Sequence, residues 1–248
     1  MSVLVEICAC SVDDVVESEK GGAQRVELCS ALPLGGLTPS AGLVSESKRL
    51  SKLPVIVMIR PRSGGFCYTE NEMSAMERDI DLAAENGADG FVFGILTSSG
   101  HVDQPRTKRL VQRASGLPTV FHRAFDVTPD PFEALESIVD LGVTRLLTSG
   151  QQSESMQGVE LIRKIIEVAG DRIEVMPGGG VRQHNVAELV RLTGCRQVHL
   201  TAHKSHLDSS TKANPSIAFG SDSAPSEDQV DIIDSSTVAA IVSEASKL

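Results

Sequence analysis

Two short patterns place an acid and a thiol two residues apart, Glu6-x-Cys8 near the start of the chain and Glu27-x-Cys29 further on. In an extended strand, residues two apart point to one face, so each pattern offers a carboxylate and a sulfur to the same side. Paired carboxylates are the material of general acid–base work, and thiols serve core packing, nucleophilic attack or a soft metal. A plainer reading stays open at this point, with each Cys a small buried hydrophobe and each Glu held by an arginine.

Other residues carry chemistry of different kinds. His122, Arg123 and Asp126 set an imidazole that titrates near neutrality beside a carboxylate able to orient it. Asp126 could instead cap the following turn, with Arg123 pairing structurally. Arg60 and Arg62 flank Pro61 just before Ser63-Gly64-Gly65, and Met176-Pro177 leads into Gly178, Gly179 and Gly180. Guanidinium groups and bare backbone N–H groups both hold anions. Thr148 and His199 likewise interrupt apolar runs. The candidate acid–base residues are therefore Glu6, Glu27, His122, Asp126 and His199. The candidate substrate-binding residues are Arg60, Arg62, Arg123, Thr148, Gly178, Gly179 and Gly180. His203-x-x-His206-x-Asp208 has a metal-like spacing, but it lies in a polar stretch without a second pair of ligands, which argues against zinc there.

These residues need a scaffold that brings distant segments to one place. Apolar runs of strand length occupy residues 3–8, 25–29, 54–60, 90–94, 118–123, 145–149, 172–177 and 197–201, with helical periodicity between them. Four of the strand starts share an entrance, a helix-ending Gly at Gly22, Gly87, Gly142 and Gly194. Two others begin Leu-Pro, at Leu53-Pro54 and Leu117-Pro118. A fourfold repeat of a two-βα unit closes into an eight-stranded barrel more naturally than into a doubly wound sheet, which reverses strand order halfway. The expected fold is thus α/β, one (β/α)8 barrel spanning residues 1–248. A long polar segment, residues 202–235, separates strand eight from a last helix at 237–247 and is expected to be a loop. The polar residues fall at strand ends, where barrels of this type place their chemistry, and closure brings His199 beside Glu6.

Composition narrows the partners. The chain of 248 residues is 41% hydrophobic and 23% charged, which fits a folded domain and excludes a disordered chain. Its 23 Lys and Arg against 33 Asp and Glu give a net charge of −10, which repels nucleic acid and anionic membranes. Aromatics are 3%, with no Trp and one Tyr, so there is no stacking platform for bases. Five Cys, an odd number, without a leader-like start point to a reducing, cytosolic compartment. No apolar run approaches the roughly 18 residues of a membrane span.

The motifs together resemble the CutC family of copper homeostasis proteins along almost the whole chain. The stretches that carry the resemblance are Glu6-Ile7-Cys8, Gly21-Gly22-Ala23-Gln24-Arg25-Val26-Glu27-Leu28-Cys29, Gly35-Gly36-Leu37-Thr38-Pro39-Ser40, Ile59-Arg60-Pro61-Arg62, Phe121-His122-Arg123-Ala124-Phe125-Asp126 and Leu147-Thr148-Ser149-Gly150. The resemblance implies a barrel fold and a copper-linked protein of the cytosol that could also be nuclear. It also implies a homo-oligomer, with Cys8 and Cys29 at the positions for Cu(I). Two departures stand out. Cys10 replaces an Asp common in relatives and would add a third thiol, and Lys212-Ala213-Asn214 replaces an aromatic followed by Arg-Asn. Two functions therefore compete. In one, thiolates of Cys8, Cys29 and Cys10 hold a copper ion. In the other, an enzyme acts on a small anionic ligand, a phosphate or carboxylate, by acid–base chemistry. Neither calls for a nucleotide cofactor.

Overall fold

The computed structural model describes residues 3–214, 216–217, 219 and 226–247. Strand and helix alternate as β1 (Leu4–Ala9), α1 (Val12–Lys20), β2 (Arg25–Leu28), α2 (Ala41–Leu50), β3 (Val55–Met58), α3 (Glu70–Glu85), β4 (Gly90–Phe93) and α4 (Gln104–Arg113). They continue as β5 (Thr119–Phe121), α5 (Pro131–Asp140), β6 (Arg145–Thr148), α6 (Val159–Ala169), β7 (Glu174–Pro177), α7 (Val186–Thr193) and β8 (Gln197–Leu200). The eight strands are parallel in the order β7-β6-β5-β4-β3-β2-β1-β8, and a bridge between Gly178 and His199 joins β7 to β8, so the sheet is a nearly closed barrel. This is the expected (β/α)8 architecture.

Strand alternation divides the apolar residues into two layers. Val5, Ile7, Val26, Leu28, Val55 and Val57 face outward into the belt between barrel and helices. Cys8, Cys29, Ile56, Met58, Val92, Val120, Leu147 and Met176 form a separate cluster that fills the barrel interior. Helix starts follow local capping chemistry. Ser11 accepts from the Asp14 N–H, Asp130 caps the Pro131 start of α5, and Thr69 with Glu72 forms a reciprocal capping box. Pro39 directly precedes the Ser40 cap of α2.

The polar segment after β8 is not wholly a loop. Within it, β9 (His203–Leu207) and β10 (Gln229–Ile233) pair as an antiparallel hairpin. The last helix, α8 (Ser235–Ala245), begins two residues earlier than expected, capped by Asp234. Asp14 on α1 accepts from the Ile233 N–H at 2.8 Å, which ties the hairpin to the barrel. The hairpin is hidden in the sequence because β9 is exposed and mostly polar, and β10, although it carries Val230, Ile232 and Ile233, is short and largely exposed. Lys212, Ala213 and Asn214 lie beyond β9, outside the barrel strands.

Candidate functional site

The register between β1 and β2 is staggered by two residues: Glu6 lies beside Arg25, and Cys8 beside Glu27. The two acid–thiol patterns therefore do not stand side by side. Cys29 is carried one step higher, level with Cys10. Its Sγ lies 3.5 Å from the Cys10 Sγ and 3.7 Å from the Cys8 Sγ. Three sulfurs thus converge at the C-terminal end of β1 and β2, and Cys8 and Cys29 are buried while Cys10 is half-buried. Hydrogen bonds from the Cys29 and Cys8 thiols pull the Cys10 thiol well below its usual range, whereas the same contacts raise Cys8. One sulfur of the group is accordingly the natural seat of a thiolate.

Below the sulfurs, Glu6 is bracketed by its neighbours. The Arg25 Nε donates to one carboxylate oxygen, and His199 Nδ1 on β8 bonds the other at 2.8 Å. Burial alone would raise the Glu6 carboxyl, but the His199 hydrogen bond and the Arg25 charge outweigh it and bring it down to about 2. Burial works against a charged His199, and the facing Glu27 and Glu6 carboxylates overcome it and raise the imidazole. Arg25 also donates to Gln197 at 2.6 Å, which anchors the guanidinium inside the barrel. Glu27 has no such cation against it. Its hydrogen-bond contact is the Cys8 thiol at 3.9 Å, and burial pushes its carboxyl up to about 7 despite the pull of His199. Donor atoms of Cys8, Glu27 and His199 all lie within 4.8 Å of one another.

The sequence pattern of the CutC family matches residues 3–204. The chain belongs to the CutC family. A CutC family protein of Treponema denticola is 46% identical over 93% of this chain and 94% of its own length. The human protein named copper homeostasis protein cutC homolog is 44% identical over 93% of this chain and 85% of its own length. The crystal structure of Streptococcus agalactiae CutC, 40% identical, covers 80% of this chain and 98% of its own with a TM-score of 0.77. A phosphoribosylanthranilate isomerase from Thermotoga maritima, at 14% identity and a TM-score of 0.58, covers 99% of this chain and 100% of its own and shares the fold alone.

In this CutC chain the barrel mouth opens into a cavity of about 370 Å³, lined among others by Cys8, Glu27, Cys29, Arg60, His122, Arg123, Gly179, Gly180, Arg182 and His199. Most of the residues expected at the site converge there, but several turn to other partners. Arg60 spends its guanidinium on the carbonyls of Leu34, Gly36 and Gly64, at 2.8 to 3.1 Å. It braces two loops over the mouth rather than presenting a free fork to an anion. Arg62 pairs with Glu72 at 2.5 Å and stacks over Tyr68, and it does not line the cavity.

Asp126 was expected to orient His122, and the structure corrects this. Asp126 accepts from Arg123 at 2.8 Å, from Thr148 at 2.5 Å and from the backbone and hydroxyl of Ser149. Asp126 and Thr148 therefore knit the ends of β5 and β6 together, beneath Arg123, which alone of the three reaches the cavity. His122 instead accepts the Ala124 N–H on Nδ1 at 3.1 Å, and its Nε2 is buried without a protein partner among the described residues. Burial, aided by the Arg60 charge, lowers His122 to about 3, so it is a neutral donor rather than a titrating base at neutral pH. Gly178 belongs to the barrel wall, its N–H donating to the Thr148 carbonyl of β6 at 2.9 Å and its backbone bridging to His199 of β8, while Gly179 and Gly180 line the cavity. Gly179 has φ +98°, and a side chain there would meet the Arg123 guanidinium at 3.1 Å.

Residues that sequence reasoning passed over also shape the site. Phe66 packs on His122 with ring centroids 5.0 Å apart, and the Arg60 guanidinium lies 5.2 Å from its centroid. Arg182 adds a second guanidinium at the rim beside the glycine loop. Gly94 leaves room for the His122 ring, since a Cβ there would fall 2.5 Å from two ring atoms. Arg25 gave the one readable signal, an arginine set in an apolar strand run next to Glu27. A separate cavity of about 380 Å³ at the opposite end, lined by Asp171, Glu174, Gly194 and Arg196, gathers none of these groups. In barrels that end contributes stability rather than chemistry.

Proposed function

We propose that this protein handles copper by binding Cu(I) through the thiolates of Cys8, Cys29 and Cys10 at the barrel mouth. The observation that carries the reading is the sulfur cluster, with Cys29 within 3.7 Å of Cys8 and 3.5 Å of Cys10. A soft ion with metal–sulfur bonds of about 2.3 Å, the length found for zinc thiolates, spaces three coplanar sulfurs roughly 4 Å apart. The cluster is close to that spacing already, and sulfur-only donation suits Cu(I) over harder ions. Copper here is cargo. The names of the mouse and human relatives, copper homeostasis protein cutC homolog, support the same reading. It includes cytosolic residence, with access to the nucleus, because open thiols persist in a reducing compartment. It also includes a homo-oligomer. No helix among the described residues is long and apolar enough to cross a membrane.

The test is competition for Cu(I) against a chelator under reducing conditions. Cys8→Ser with Cys29→Ser should lower affinity at least about 100-fold, because a soft donor is exchanged for a hard one. Cys67→Ser and Cys195→Ser should leave it unchanged. Equal affinity in the double variant, with folding confirmed by melting, removes these thiols from copper binding.

A second reading rests on its own observation. The cavity sets Glu27, poised near neutrality, opposite a neutral His122 and the guanidinium groups of Arg123 and Arg182. Such a site suits acid–base chemistry on a small phosphate or carboxylate. Its test is phosphate binding followed by calorimetry, which Arg123→Ala should abolish. No measurable phosphate binding at millimolar concentration would count against an anionic substrate.

A further inference from the structure

We propose that Cys8, Glu27 and His199 form a second metal site, for a borderline divalent ion of the zinc type, with a fourth position open to the mouth cavity. Three side chains from three strands supply one sulfur, one oxygen and one nitrogen, all within 4.8 Å of one another. Zinc bonds run at about 2.0–2.3 Å to these donors, so tetrahedral donors sit roughly 3.4–3.8 Å apart. The Cys8 to Glu27 separation of 3.9 Å is just above that range, and the remaining closure is within the reach of side-chain rotation.

Orientation of the histidine is the feature that singles out a metal. Nδ1 of His199 is held by Glu6 at 2.8 Å, and the other Glu6 oxygen is held by Arg25. This leaves Nε2 as the nitrogen free for the cavity. A carboxylate behind the distal nitrogen is the usual support of a metal-bound imidazole, fixing its tautomer and its direction. The barrel register produces the arrangement, because Glu6 pairs with His199 on one side while Cys8 pairs with Glu27 on the other.

Charge supplies an independent argument. Glu27 is 3% exposed, and its hydrogen-bond contact is a thiol rather than a cation. A buried carboxylate without a hydrogen-bonded cation is costly, and buried charges are paired or coordinate metals. On giving up their protons to a bound divalent ion, Glu27 and Cys8 would together supply two negative charges. The mixed sulfur, nitrogen and oxygen set differs from the all-sulfur set of Cys8, Cys29 and Cys10, and is the less suited to Cu(I). Three protein ligands with an open fourth position is the form of catalytic rather than structural zinc. Cys8, Glu27 and His199 line the same cavity as Arg123 and Arg182, so a water or a small anionic group there would complete the shell. Both sets use Cys8, so they cannot be filled together.

The test uses the full-length protein freed of metal and titrated with Co(II) as the spectroscopic stand-in for zinc. One equivalent should bind with a sulfur-to-cobalt charge-transfer band and visible bands of tetrahedral intensity. His199→Ala and Glu27→Gln should each weaken Co(II) at least about 10-fold, and Glu6→Gln by about 10- to 100-fold through the misdirected imidazole. The Cys10→Ser, Cys29→Ser double variant should keep the Co(II) bands while losing Cu(I), which separates this site from the sulfur cluster whichever of the two fails. Unchanged Co(II) affinity in His199→Ala and Glu27→Gln overturns the proposal, as does loss of the bands in the double thiol variant. X-ray absorption of zinc-loaded wild-type protein needs no variant. One sulfur with nitrogen and oxygen neighbours at about 2.0–2.1 Å is expected, and a shell of three sulfurs overturns it.

Discussion

Glu6 and Glu27, two buried carboxylates on neighbouring strands, are driven in opposite directions, one down to about 2 and the other up to about 7. Both are almost fully removed from solvent, so burial penalises each. The difference lies in the hydrogen bonds: Arg25 meets Glu6 directly and a histidine completes its shell, whereas Glu27 has only a thiol as a hydrogen-bond contact. Environments that push like groups in opposite directions are how one site obtains both a fixed charge and a proton-carrying acid.

Arg25 should therefore be the most sensitive polar position in the barrel. Arg25→Ala leaves the Glu6 carboxylate and the Gln197 amide without their shared donor, and breaking a buried pair this way costs about 3–5 kcal/mol. Urea denaturation with an unchanged slope should show the loss as a lower midpoint. A loss below about 1 kcal/mol would mean that Glu6 is neutral or rehydrated in the fold.

His122 gives a pH dependence of known sign. Its folded value of about 3 lies below the ordinary 6.5, because of burial and the Arg60 charge, with Asp126 opposing. The unfolded chain takes up this proton first, so stability is full above about pH 6.5 and falls as pH drops toward 3, by roughly 1.4 kcal/mol per unit for this group. His122→Gln should remove that share of the slope. Parallel melting curves of variant and wild type from pH 7 to pH 4.5 would contradict the assignment.

Gly94 should behave as a site residue although it carries no side chain. A methyl group there overlaps the His122 ring and the Ala124 Cβ. Gly94→Ala should destabilise by about 1–3 kcal/mol, as overpacked positions do, and shift the His122 imidazole resonances. An unshifted imidazole spectrum would show that the ring does not rest against this glycine.

The barrel is legible in the sequence because its signals are local and repeated. Helix-ending glycines, strand-length apolar runs and acids or thiols at strand ends each depend on a few neighbouring residues, and four copies of the same unit reinforce one another. The hairpin of β9 and β10 escapes such a reading because β9 is exposed and mostly polar and β10 is a short, largely exposed run, so neither shows the long alternation that marks a buried face. Arg62 is misplaced by sequence for a related reason. Along the chain, two arginines around one proline look equivalent, but Glu72 lies in the first turn of α3 and captures only the second.

By itself the sequence determined which residues share a face: Glu6 with Cys8, Glu27 with Cys29, and His199 next to Glu6 once the barrel closes. These follow from the two-residue period of a strand and from the order of strands around a barrel. Tertiary structure alone decided the heights. The two-residue stagger between β1 and β2 sets Cys8 against Glu27 and lifts Cys29 to Cys10, so that three sulfurs meet and one carboxylate is left without a hydrogen-bonded cation. Stagger arises from the tilt needed to close eight strands, a property of the whole sheet that no short stretch of chain encodes. Partner choice was decided the same way. Asp126 turns to Thr148 and Ser149 rather than His122 because β5 and β6 are neighbours in space, and only the closed barrel brings their ends within hydrogen-bonding distance.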